Sequence, residues 1–178
     1  MIALYLSTYD QSSIIFFPTI LAVSGLVLQL YVLNKVATPE TEDYLVSTDN
    51  PTKLATWTIV GVTGLSIISQ LSPILTTPRM NLTGVDVLLY SVLIAIAEEQ
   101  FFRGFLANLF GLKNHLIGSI SSATVFAAYH LAINRADTGS LSYVFAAGLL
   151  LATIGFKHGK LDAPMLIHII NNVFAFTR

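Results

Sequence analysis

Six residues in the second half of the chain have the types and spacings that do chemistry: Glu98, Glu99, Arg103, His130, His168 and Asn172. Glu98 and Glu99 are adjacent, so on a helix they point about 100° apart and cannot fill one role equally. Glu99 stands four residues before Arg103, the favourable order for a helix ion pair. Glu98 has no such partner in its own segment. His168 and Asn172 are also four apart and share one helix face. A carboxylate, with or without an imidazole, takes a proton from water. An imidazole and an amide stabilise an oxyanion. These residue types therefore suffice for hydrolysis, provided the chain brings them to one place.

The elements that must do so are membrane spans. The chain has 178 residues, of which 54% are hydrophobic and only 11% charged. An average soluble domain carries roughly 25% charged residues, so this chain has too little charge to cover a soluble surface. Its net charge of −1 gives no basic stripe and argues against nucleic acid as a partner. The apolar content excludes disorder. With no cysteine, disulfides, thiol nucleophiles and thiolate metal sites are excluded. A hydrocarbon core about 30 Å thick needs about 20 apolar residues. The stretches that qualify, two of them short, are Ile14–Leu33, Leu54–Leu75, Val85–Phe110, Leu116–Ile133, Leu141–Phe156 and Leu161–Phe176. The expected fold is an all-α, polytopic bundle of about six spans. It forms one membrane domain over 1–178, with accessory spans in 14–75 and a core in 85–176.

The third stretch would be about 39 Å long as a helix, more than a span needs, so a tilt or a break is expected. Pro73 is expected to end or bend the second. The segments Asn34–Lys53, Gly111–His115 and Lys157–Lys160 read as links on one side, which gathers five lysines there and favours that side as cytoplasmic. His115 and His158 fall in those links and read as exposed. Asp86 and Asp162 suit helix starts. Asn171 reads as packing or as a support behind the site, and the small-residue pairs Gly118/Ser122 and Ala123/Ala127 read as packing.

Glu98, Glu99 and Arg103 stand apart from the other charges, in mid-span. A charge at the centre of a span costs about 2.5–3.5 kcal/mol, so three unpaired would cost on the order of 8–10 kcal/mol. Pairing Glu99 with Arg103 reduces this and reads as structural. An intramembrane acid with no local partner, such as Glu98, marks a functional site by default. Counted from the lysine side at about 1.5 Å per residue, Glu98 lies about 18 Å deep, His130 about 21 Å, His168 about 11 Å and Asn172 about 17 Å. Three antiparallel helices thus bring four polar groups into one band. Taken singly, His130 serves as well as a clamp between helices, and so do His168 and Asn172.

The same residues stand in a known pattern. Glu98-Glu99-Gln100-Phe101-Phe102-Arg103 resembles the E-E-x-x-x-R motif of the CAAX protease and bacteriocin-processing (CPBP) family. Phe126-Ala127-Ala128-Tyr129-His130 is similar to its F-x-x-x-H motif, and His168-Ile169-Ile170-Asn171-Asn172 to its H-x-x-x-N motif. The resemblance implies an all-helical intramembrane endopeptidase. In the prenyl-protein branch such enzymes remove a C-terminal tripeptide after a lipidated cysteine. It further implies that Glu98 and His130 activate water and that His168 and Asn172 form the oxyanion hole, with Glu99, Arg103 and Phe126 as motif support. The implied cofactor is either none or a divalent metal such as zinc, with Glu98, His130 and His168 as its ligands. The implied partners are the lipid bilayer and a peptide or prenylated protein, in a multi-pass protein of the cell membrane. The rival reading is a non-enzymatic protein, either a proton-relay transporter subunit or an immunity or scaffold protein. A relay needs polar groups toward both faces, and the first two stretches offer only Gln29 and Gln70 as large ones.

Overall fold

Asn50 and Pro51 start the first long helix of the computed structural model, which describes residues 24, 27–28, 50–71, 84–112, 114–134 and 138–176. The Asn50 side chain accepts the Lys53 amide at 3.0 Å, and Pro51 follows it at the first helical position, where its missing N–H costs nothing. Helix α1 then runs Pro51–Leu71. The described end of the link expected over Asn34–Lys53 is therefore the cap and first turn of a helix.

Gly84 begins a continuous rod that changes character twice. Helix α2 (Gly84–Glu98) passes into a π-helical segment (Glu99–Ala107), and this into a short helix α3 (Asn108–Gly111). The break expected in an over-long third stretch takes this form: the helix widens without ending. Helix α4 (His115–Asn134) is capped by Asn114, whose Oδ1 accepts the Leu116 amide at 2.8 Å. Helix α5 spans Thr138–His158 and ends where Gly159 takes a φ of 82°, a conformation that favours glycine. Helix α6 spans Asp162–Phe176; Pro164 falls in its first turn, where proline is tolerated.

The described structure is all helical, and its helices cover five of the six expected stretches. The first, Ile14–Leu33, lies outside the described residues apart from Ser24, Val27 and Leu28, which are helical; Pro73 lies outside them too. Among the described residues one helix, over Ser140–His158, is long and apolar enough to cross a membrane by itself.

Helix α5 is the hub, packing against α1, α4, α6 and the π segment, while α2 packs against α6. The core gathers Leu65 of α1, Phe102 of the π segment, Phe126 of α4, Val144, Leu151 and Ile154 of α5, and Ile167 of α6. Apolar side chains also cover outer faces, among them Val85, Leu88 and Leu89 on α2 and Leu116, Ile117 and Ile120 on α4, while Glu98, Glu99 and Arg103 lie inside.

The three links expected on one side do lie together where they are described. Lys53 Nζ donates to the His158 carbonyl at 2.8 Å, and the exposed His115 ring stacks on Phe156 with centroids 4.4 Å apart. His158 itself corrects an expectation. It is buried, and its Nε2 meets Asp162 Oδ1 at 2.6 Å across the α5–α6 turn. With the chain reversing at Gly159, the residue four positions on folds back over the imidazole.

Candidate active site

The π segment faces three helices at once, and four ionisable side chains meet there. Glu98 is 3% exposed, Glu99 and Arg103 0%, and His168 6%. Glu99 Oε1 lies 3.0 Å from Arg103 Nη1, the ion pair expected from their spacing. The same oxygen accepts a hydrogen bond of 2.7 Å from His168 Nδ1 on α6. Glu99 Oε2 is buried and accepts no hydrogen bond among the described residues. Glu98 has its Oε2 3.4 Å from His168 Nε2. One imidazole thus spans both glutamates, with its Nδ1 side on Glu99 and its Nε2 side toward Glu98.

Arg103 is held from three directions, although its Nε and Nη1 are buried without a hydrogen bond among the described residues. Its guanidinium lies 4.3 Å from the centre of the Phe126 ring, and its Nη2 donates to the Gly148 carbonyl of α5 at 3.4 Å. A buried guanidinium needs such contacts, because an unpaired charge in low dielectric is expensive. Phe126 also meets both histidines edge-on, with ring centroids 4.3 Å from His130 and 6.1 Å from His168. His130 Nδ1 donates to the Phe126 carbonyl at 3.0 Å. That bond fixes the tautomer, so the neutral ring keeps Nε2 as an acceptor. Asn172 lies one turn beyond His168 and is partly buried. Asn171 accepts a bond of 2.8 Å from the Tyr143 hydroxyl, in keeping with a packing role.

Of the residues singled out from the sequence, Glu98, Glu99, Arg103, Phe126 and His168 form one contact network, and His130 joins it through Phe126. Three contributors were not read as parts of the site. Gly148 takes part through its backbone, which leaves no trace in residue type. Asn108 and Ser122 bond to carbonyls of the π segment. Ser122 carried a signal, its spacing from Gly118, that read as packing alone.

A metal would need at least three donors around one point. Among the described residues no group of three or more His, Asp or Glu side chains is arranged that way. Glu98 Oε2 and His168 Nε2 lie 3.4 Å apart, but His130 reaches the network through the Phe126 ring and does not join them at that point. The arrangement does not fit a site formed by Glu98, His130 and His168.

A family model described as type II CAAX prenyl endopeptidase Rce1-like matches residues 81–174, just over half of the chain and all three motifs. The chain belongs to the Rce1-like family. This bears out the likeness read from the motifs and places the chain among membrane-bound proteases, which are hydrolases. Neither a curated protein nor a solved structure matches the chain at a significant level. The Rce1-like match begins before α2 and ends within α6, so it takes in every helix that carries a site residue and leaves α1 outside.

Proposed function

We propose that this chain is a multi-pass intramembrane endopeptidase in which Glu98 activates the attacking water. The observation that carries this reading is the unequal treatment of the two glutamates inside a family match to CAAX prenyl endopeptidases. Glu99 is engaged by Arg103 and His168 through one oxygen, whereas Glu98 meets neither the guanidinium nor Nδ1. A general base must be free to accept a proton at the reacting water. Glu98 meets that need, and His130 offers a second acceptor at Nε2, since its Nδ1 is committed to Phe126.

In the proposed reaction water gives a proton to Glu98 as its oxygen attacks the peptide carbonyl. The oxyanion is held by the Asn172 amide and by His168. Because the Nδ1–H of His168 is committed to a hydrogen bond with Glu99, the ring donates from Nε2 only when doubly protonated. In that state the buried quartet balances, with two carboxylates against one guanidinium and one imidazolium. The C–N bond then breaks, and the Glu98 proton passes to the leaving amine. The products are a carboxylic acid and an amine with the base restored, and the acid then passes its proton to the amine, leaving a carboxylate and an ammonium. Removing one oxyanion donor typically costs about 10²–10³ in rate.

The substrate is proposed to be a prenylated protein or peptide presented from the bilayer, with residues 85–176 as the catalytic core and 14–75 as accessory spans of a single domain. Support for several spans comes from the apolar outer faces of α2 and α4 and from the burial of Glu98, Glu99 and Arg103. The lysine-bearing end is proposed to face the cytoplasm. Incubating the purified protein with a prenylated peptide and its unprenylated twin tests the reading. Release of a C-terminal fragment from the prenylated peptide, read by mass spectrometry, is expected. No cleavage of either peptide would contradict it.

A further inference from the structure

Hydroxyl side chains inside helices usually bond back to their own helix. Thr56, Ser66, Thr124 and Thr153 do so here, each donating to the carbonyl four residues earlier at 2.8 Å. Ser122 does something else. From α4 its Oγ reaches across to the Phe102 carbonyl of the π segment at 2.7 Å. Ser122 is 0% and Phe102 1% exposed, so solvent does not compete for this bond. The next two carbonyls are held as well: Asn108 Nδ2 donates to Arg103 at 3.3 Å and to Gly104 at 2.9 Å.

Three consecutive carbonyls in the middle of a π segment therefore receive side-chain donors. A π-helix is rare, and its backbone ladder runs i to i+5 in place of i+4. Holding nine residues in that form needs support from outside the ladder. This segment begins with Glu99 and contains Arg103, and the bonded Phe102 carbonyl immediately precedes Arg103. Any relaxation toward α-helical geometry would rotate Glu99 and Arg103 relative to each other and to His168. The bond made by Ser122 lies on the side of the segment that α4 approaches, at the level of the Phe102 and Phe126 rings, whose centroids are 4.9 Å apart.

We infer that Ser122 is a positioning residue of the site: by holding the Phe102 carbonyl it keeps the helix widened, and so fixes where Glu99 and Arg103 meet His168. Its effect on cleavage rests on the peptidase reading above, while its effect on the His168–Glu99 bond does not.

The test uses full-length protein carrying Ser122→Ala or Ser122→Cys, the second nearly isosteric and a weaker donor. The first readout is the ring-nitrogen NMR signal of His168, assigned by its loss in His168→Gln. In folded Ser122→Ala it moves toward the signal of exposed His115 in the same spectrum, with Ser122→Cys in between. The second readout is cleavage of the prenylated peptide per folded molecule, where kcat falls about tenfold or more, as misplacement of reacting groups does, and KM stays within about twofold. An unchanged His168 signal in folded Ser122→Ala overturns the inference, whatever happens to the melting temperature. If the alanine variant does not fold, the cysteine variant decides by the same signal. If the wild-type protein cleaves nothing, the peptidase reading fails while the ring signal still decides the role of Ser122.

Discussion

Arg103 shows how much depends on one side chain's shape. Its planar fork pairs with Glu99, donates to Gly148 and lies on the Phe126 ring at the same time. A lysine keeps the charge but has neither the fork nor the flat face. Arg103→Lys is therefore expected to lose one hydrogen bond and most of the ring contact, about 2–3 kcal/mol together. Thermal melting in detergent checks this, and a variant that melts like the wild type would show that charge alone suffices. At this scale the sequence was partly legible. The Glu99–Arg103 pair followed from i, i+4 spacing, because both partners belong to one helix. The bond from His168 to Glu99 was not legible, since residues 69 positions apart meet only through the register of α6 against the π segment. The burial of His158 was within reach, because Asp162 lies at the same i, i+4 spacing, but a polar turn with glycine argued for exposure.

The π segment is the element on which the site turns. An over-long apolar stretch announced an irregularity, yet nothing in Glu99–Ala107 distinguishes a widened helix from a regular one by hydrophobic pattern. What selects it is mainly tertiary: the donor from Ser122 and the close approach of α4, with Asn108 bonding back locally from the end of the segment. Gly118 sits where that approach is tightest, and a Cβ there would collide with the carbonyl of Ala107. Gly118→Ala is expected to push α4 off the rod and cost about 1–3 kcal/mol, as overpacking does. Gly84→Ala is the control, since a Cβ at Gly84 meets nothing within 4 Å. Equal melting temperatures for the two variants would contradict the tight approach. Asn108→Ala should free the Arg103 and Gly104 carbonyls from their side-chain donor and cost about 1–2 kcal/mol, read in the same way.

Over the whole molecule, composition was the most informative signal. Scarce charge and long apolar stretches called for spanning helices, and the described residues fall almost wholly into helices joined by short turns. How the helices are arranged against each other had to come from packing. The central place of α5 was invisible because it bears none of the chemical motifs. One prediction belongs at this scale. Lys53, His158, His115 and Phe156 bind three chain segments into one end of the bundle. Single cysteines replacing Asn114 and Lys157 should therefore react with an impermeant thiol reagent from the same side of a sealed vesicle. One replacing Thr138, at the start of α5, should react only from the other. Labelling of all three from one side would contradict the topology.

The central claim is that the adjacent glutamates do different work, and a single comparison tests it. Glu98→Gln keeps shape but removes the base, so it should fold and melt like the wild type while peptide cleavage falls nearly to background. Glu99→Gln leaves both Arg103 and His168 without their carboxylate, and breaking a buried pair costs about 3–5 kcal/mol. Its loss should appear first as lower stability, and cleavage per folded molecule should fall by about tenfold, as misplacement of His168 does, but stay well above that of Glu98→Gln. The measurement is cleavage of a prenylated peptide normalised to folded protein for the two variants and the wild type. Activity retained by Glu98→Gln, together with its absence from folded Glu99→Gln, would show that the base has been assigned to the wrong residue.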